Sequence, residues 1–129
     1  MHRASVTILG GGLCGALLSI ILARRGIEVT VLERAQDPRD QQAEGGRSIN
    51  LAMSARGIRG LKYAGAFERI ESLLMPMKGR RIHELDGSTE LHLYGQRASE
   101  VIYSVSRAEL NRRLIDIAIG EHGVDVRLE

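Results

Sequence analysis

The glycine spacing near the start of this chain constrains its fold more than any other feature. Val6-Thr7-Ile8-Leu9 runs straight into Gly10-Gly11-Gly12-Leu13-Cys14-Gly15. An apolar run through Ala23 follows, then Gly26, then Glu28-Val29-Thr30-Val31-Leu32-Glu33. Four β-branched and aliphatic residues suit a buried parallel strand, and the glycines at 10, 12 and 15 fall where that strand must turn into a helix. Gly10 permits the tight turn, Gly12 has no Cβ to hold a pyrophosphate off the backbone, and Gly15 lets the helix approach the strand. Unpaired N–H groups at the helix start then face an anion. The acid Glu33 ends the second strand eighteen residues after Gly15, placed to accept hydrogen bonds from ribose hydroxyls. The order of these parts predicts an α/β fold with a Rossmann-like βαβ core that holds a dinucleotide. A ligand-free βαβ unit, with glycines serving turns and Glu33 solvated, is the plainer alternative.

Composition narrows the rest. The 129 residues are one domain's worth, and with 43% hydrophobic but 3% aromatic residues the core must be built from Leu, Ile, Val and Ala. A net charge of +2 spread over interspersed arginines and acids leaves no basic block, so nucleic acid is not an expected partner. Cys14 is the single cysteine, which excludes an internal disulfide and favours a reducing compartment. It sits in the glycine turn with no signal of a nucleophile. Arg3 ahead of Leu13–Ala23 imitates a signal peptide, but glycines interrupt the apolar stretch and Arg24-Arg25 close it. Its eleven residues also fall short of the roughly twenty that span a bilayer. A soluble, cytoplasmic protein is the default expectation.

Along the chain, the pattern predicts a helix from Leu13 to Arg25 with Gly26 as its C-cap, and a second parallel strand over Val29–Leu32. Arg34 to Arg47 is polar and aperiodic, a loop beside the nucleotide site. Ser54 caps a helix to Tyr63. Gly65 then breaks the chain before a second helix, Phe67–Leu74, with Leu61, Phe67, Ile70, Leu73 and Leu74 as a core face. Alternation on both sides of Asp86-Gly87 predicts an antiparallel hairpin of residues 81–85 and 90–94, with His83 and His92 facing each other but without the spacing of a metal site. Val101–Val105 is a further strand, followed by the capping box Ser106-Arg107-Ala108-Glu109 and a helix with Leu110, Leu114, Ile117 and Ala118 on one stripe. Gly120 or Gly123 ends that helix, and Val124–Leu128 is a third parallel strand. The organisation expected is one partial nucleotide-binding domain, residues 1–129, with 76–105 beginning a substrate-side β insertion. A three-strand parallel sheet keeps an unpaired edge or an uncovered face, so the fold is expected to be incomplete at the C-terminus, as in a piece of a longer protein.

At Gly46-Arg47-Ser48-Ile49-Asn50-Leu51-Ala52, taken with the hairpin and Ser104-Val105-Ser106-Arg107, the chain resembles the kynurenine 3-monooxygenase family. These are FAD-dependent aromatic hydroxylases that use NADPH and O2 to convert L-kynurenine to 3-hydroxykynurenine. The resemblance runs from Val6 to about Ala118. It implies that Gly10, Gly12 and Gly15 line the FAD pyrophosphate with Leu13 and Cys14 beside it. Leu32, Glu33 and Arg34 would sit at the adenosine ribose, and Arg47, Ala52 and Arg107 along the cofactor. The family's substrate-binding pair falls on Arg80 and Tyr94, a guanidinium able to grip an amino-acid carboxylate and a phenol able to add a hydrogen bond. By strand spacing alone Arg80 reads as a solvated residue and Tyr94 as an edge aromatic, and the adjacent Arg81 points to the opposite face. No catalytic acid or base is implied. Family members continue past residue 129, so the remainder of the chain is expected to complete the FAD site and the 129 residues alone to be inactive; a homodimer is a further possibility. A nicotinamide-dependent oxidoreductase and a non-enzymatic nucleotide sensor share the glycine motif and stay open at this point.

Overall fold

A computed structural model of the protein describes residues 4–39, 49–97 and 99–128. In chain order the elements are β1 (Ser5–Leu9), α1 (Leu13–Ala23), β2 (Glu28–Glu33), β3 (Asn50–Met53), α2 (Ala55–Tyr63) and α3 (Phe67–Ile70), which runs into a 3-10 turn at Glu71–Leu73. Then follow β4 (Met75–Met77), β5 (Gly79–His83), β6 (Thr89–Leu93), β7 (Ile102–Ser106), α4 (Arg107–His122) and β8 (Asp125–Leu128).

Strands β1, β2 and β8 form a parallel sheet with β2 in the middle, registered so that Ile8 lies beside Val31 and Val31 beside Val126. Alternation sends Val6, Ile8, Val29, Val31 and Val126 to one face, where α1 covers them with Ala16 and Ile20, both fully buried. Removing a side chain such as Ile20 or Val31 from water contributes roughly 1.5–3 kcal/mol. The buried Ser19 satisfies its hydroxyl within the helix, donating to the Ala16 carbonyl at 2.7 Å. Helix α4 packs on α1 through the same core, burying Leu114, Ile115, Ile117 and Ala118. The opposite face of the sheet stays open among the described residues: Leu9 is 82% and Leu32 39% exposed. A strand composition suited to burial on both faces is therefore buried on one.

The second sheet, ordered β3-β7-β4, is antiparallel. Its outer strand β4 carries Pro76 opposite Tyr103, a position where the missing N–H costs little because only one side is paired. This sheet joins Asn50–Met53, a segment read from sequence only as a family signature, to the strand at 102–106. The third sheet is the hairpin β5–β6. Its loop closes through Glu84 N–H to Ser88 C=O at 2.9 Å and Gly87 N–H to Glu84 C=O at 3.0 Å, with Gly87 at φ +86°. Ser88 donates its N–H and hydroxyl to the Asp86 carboxylate. The hairpin register corrects one expectation: His83 pairs with Thr89 and His92 with Arg80, so the two histidines lie on opposite faces.

Boundaries differ from the sequence pattern for local reasons. Helix α1 stops at Ala23, and Arg24 takes the C-cap position, with Gly26 (φ +78°) turning the chain into β2. The helix expected over Phe67–Leu74 is a single α-turn and a 3-10 turn. Gly120 stays inside α4, and Gly123, left-handed at φ +64°, ends it.

Candidate functional site

A cavity of about 590 Å³ opens where β1 meets α1. Its floor is the end of β1, Ile8 to Gly10; one wall is the α1 entry, Gly12 to Gly15, with Leu18 a turn further on; Leu51 of β3 and Arg107 of α4 close the far side. Four elements thus meet at one opening. The backbone N–H of Arg107 donates to the Ile49 carbonyl at 3.1 Å, tying the start of α4 to the approach to β3. Ser106 caps α4 by accepting from the Glu109 N–H at 3.4 Å. The reciprocal half of the expected capping box is replaced by an ion pair of Glu109 with Arg112 at 3.0 Å.

The glycines have separable jobs. Gly10 sits at φ +101°, and its N–H donates to the Leu32 carbonyl at 2.8 Å, locking the end of β1 to the end of β2. At Gly15 a Cβ would overlap the Gly10 carbonyl oxygen and press on the Gly10 carbonyl carbon at 3.1 Å and Ile8 Cγ2 at 3.3 Å. Gly12 is different: a Cβ there would meet nothing within 4 Å and would occupy open space at the cavity. The first intrahelical bond of α1 runs from Ala16 N–H to Gly12 C=O at 2.9 Å, so the N–H groups of residues 13 to 15 lie ahead of the ladder. Free donors, a helix N-terminus and a cleared approach make a site suited to a pyrophosphate, and the Arg107 side chain adds positive charge at the rim.

Glu33 sits at the end of β2, beside this opening. Its Oε2 accepts the Gly11 N–H at 2.6 Å and its Oε1 the Ala35 N–H at 2.8 Å. These two backbone donors, Ala35 foremost, hold the carboxyl below its ordinary range and keep it ionised.

Of the residues singled out from sequence, Gly10, Gly12, Leu13, Cys14, Gly15 and Arg107 line the cavity together. Leu32 contributes its carbonyl to Gly10, and Arg34 lies exposed just past β2. Ala52 is on β3, but alternation turns it away from Leu51, which is the β3 residue lining the cavity. Arg47 lies outside the described residues. Arg80 is on β5 opposite His92, and the Tyr94 N–H extends the hairpin ladder by donating to the Lys78 carbonyl at 3.0 Å, which sets Tyr94 on the face of Arg80 and His92. Arg81 occupies the other face, within 3.4 Å of the Thr89 hydroxyl. Sequence reasoning missed Leu51, Leu18 and the Gly11 N–H. Alternation against the buried Met53 was the available signal for Leu51, whereas a backbone donor leaves none.

Strand, glycine turn, helix N-terminus and acid define the chain as a dinucleotide-binding α/β protein. The profile of the FAD binding domain matches residues 3–129, and the chain belongs to that family. It is 49% identical over 118 residues to the kynurenine 3-monooxygenase of Xanthomonas axonopodis pv. citri (strain 306), which covers 92% of this chain and 26% of that protein. A second kynurenine 3-monooxygenase, from Xanthomonas campestris pv. campestris (strain 8004), is 47% identical over 114 residues, 88% of this chain and 25% of the relative. The chain therefore spans about a quarter of the length of the curated relatives it matches. In three dimensions it is similar to the tetrameric form of 2-methyl-3-hydroxypyridine-5-carboxylic acid oxygenase, with a TM-score of 0.78 at 17% identity over 99% of this chain and 32% of that one. The p-nitrophenol 4-monooxygenase PnpA from Pseudomonas putida DLL-E4 superposes with a TM-score of 0.74 at 14% identity, over 98% of this chain and 31% of that one. These likenesses establish the fold, and FAD is the cofactor of the domain. No helix among the described residues is long and apolar enough to cross a membrane.

Proposed function

We propose that this chain is the FAD-binding part of a flavoprotein monooxygenase that hydroxylates L-kynurenine to 3-hydroxykynurenine with NADPH and O2. The identity of 47–49% with proteins of that name, over about nine-tenths of the chain, carries the proposal. In it, the Gly10–Gly15 turn and the α1 N-terminus hold the pyrophosphate, Glu33 accepts the adenosine ribose hydroxyls, and Leu13, Cys14, Arg34, Arg47 and Arg107 lie along the cofactor, with Leu51 rather than Ala52 as the β3 residue that faces it. Bound FAD supplies the transfer of electrons from NADPH and the activation of O2. The chain's own residues bind and orient. Arg80 grips the substrate carboxylate with two parallel hydrogen bonds, and Tyr94 on the same hairpin face adds a third.

Residues 76–105 are proposed as the start of the substrate-side β structure, completed by the remainder of a longer chain in the cytoplasm, with a homodimer as the assembly. NADPH consumption by the full-length protein, with and without L-kynurenine, tests the function. Kynurenine-stimulated oxidation with 3-hydroxykynurenine formed supports it. Retention of NAD in place of flavin would instead leave a nicotinamide-dependent oxidoreductase, and nucleotide binding without stimulated oxidation a sensor module.

A further inference from the structure

Basic residues are interspersed with acids along the sequence, but the fold gathers Arg24, Arg25, Arg56, Arg59 and Lys62 on one surface. Helix α2 turns a small-residue side inward: a Cβ at Gly57 would stand 3.0 Å from Met53 Cγ and one at Gly60 3.6 Å from Leu17 Cδ2, and Leu61 and Ala64 are buried. Its outer side carries Arg56, Arg59, Lys62 and Tyr63, all exposed and three or four residues apart. No acid occurs from Ile49 to Phe67. The end of α1 joins this surface through Tyr63. Arg24 Nη1 donates to the Tyr63 carbonyl at 2.9 Å, and Arg25 donates to the Tyr63 hydroxyl with its guanidinium 5.8 Å from the ring centre. Gly65 makes the room, since a Cβ there would stand 2.7 Å from Arg24 Nη1. Lys62 Nζ lies 4.9 Å from the Phe67 ring centre. A carbonyl, a phenol and two rings hold these cations without neutralising them. Arg39, Arg69, Arg112 and Arg127 each pair with a carboxylate, whereas none of the five does so among the described residues.

We infer that the outer face of α2, together with Arg24 and Arg25, docks the protein on an anionic phospholipid surface. Charge complementarity selects the partner: uncompensated cations attract a negatively charged headgroup layer, and each strengthens adsorption about fivefold. Tyr63, 60% exposed among them, has an apolar ring and a polar tip suited to the headgroup level. The apolar side of α2 is spent on the protein core, so contact is peripheral and electrostatic, without insertion of the helix. Nucleic acid fits less well, because Arg25 already occupies the ring on which a base would stack. The surface lies at the C-terminal end of α1 and the cofactor cavity at its N-terminal end, about 16 Å apart along eleven residues of helix, so docking leaves the cavity open.

The test is cosedimentation of the full-length protein with vesicles made of equal parts phosphatidylglycerol and phosphatidylcholine, beside vesicles of phosphatidylcholine alone. The protein is expected to bind the mixed vesicles and not the neutral ones, and to come off in about 1 M NaCl, where the screening length falls to about 3 Å. Arg56→Gln with Arg59→Gln should weaken binding about 25-fold, two fivefold steps. Arg97→Gln with Arg127→Gln removes the same charge elsewhere on the surface and should change binding less than about threefold. Both pairs are exposed, so circular dichroism and flavin retention should match the unmodified protein. Should the Arg56 and Arg59 pair fold poorly as glutamines, Arg56→Lys with Arg59→Lys keeps the charge and should bind within about threefold of the unmodified protein. No binding to the mixed vesicles, equal binding to neutral ones, or equal losses in the two glutamine pairs would each overturn the inference. Tighter binding to a duplex DNA oligonucleotide than to the mixed vesicles would overturn the choice of lipid.

Discussion

Replacing Gly15 by alanine sets two effects of opposite sign against each other. Alanine in place of glycine inside a helix normally gains about 0.5–1 kcal/mol. At Gly15, however, the new methyl overlaps the Gly10 carbonyl oxygen and crowds the carbonyl carbon at 3.1 Å and Ile8 Cγ2 at 3.3 Å. The group in the way is backbone, held by the Gly10 N–H bond to Leu32 and by the left-handed φ of +101°, so no rotamer change relieves it. Relief requires α1 to lift from β1, loosening Ala16 and Ile20 from the core. Overpacking of this kind costs about 3 kcal/mol, which leaves a net loss of about 2 kcal/mol and lowers Tm by roughly 4–8 °C in a protein of a few hundred residues. Gly12→Ala is the matched control. Its Cβ meets no atom within 4 Å, so Tm falls by no more than about 2 °C from the poorer N-cap, while flavin retention drops because the methyl stands in the pyrophosphate approach. Thermal unfolding followed by circular dichroism, with bound flavin measured after gel filtration, separates the two. A Gly15→Ala protein as stable as the wild type would refute the close-approach argument.

Three further outcomes follow from the same geometry. Glu33 has its folded pKa lowered by the Ala35 and Gly11 N–H groups, so the stability it contributes is fully present above the unfolded value near 4.5 and is lost as pH falls through the lower folded value; Glu33→Gln should flatten that acid limb in a pH series of urea midpoints. Leu114→Ala, at 1% exposure between α4 and the core, should cost about 2–5 kcal/mol by denaturant unfolding. In the full-length protein, Arg80→Ala should raise the KM for kynurenine by about tenfold or more, whereas Arg81→Ala, on the other hairpin face, should change it less than about twofold.

The βαβ unit was legible because its signals are local: alternation and apolar runs set the strands, and glycines mark the turn. Gly15 was read correctly as a close-approach position, and the structure adds that the neighbour is the Gly10 carbonyl. Strand β4 left no local trace, since three residues around Pro76 become a strand only by pairing with β7. Strand β3 was hidden for the same reason, its partner lying some fifty residues away in β7. The hairpin showed its turn residues but not its register: the Gly87 turn gives the loop from Glu84 to Ser88 and shifts both strands, which moves His92 opposite Arg80. In the site, side chains that carry chemistry were recognisable, whereas the backbone donors of Gly11 and Ala35 that orient Glu33 depend on three-dimensional placement.

The central claim, that the cavity between β1 and α1 is an FAD site, is tested most directly by the visible absorption spectrum of the purified full-length protein, with the cofactor released and identified. The account predicts a flavin spectrum, FAD on release, and its loss in Gly12→Ala with the fold intact. A colourless protein that neither retains nor takes up FAD, while Gly12→Ala behaves like the wild type, would contradict it.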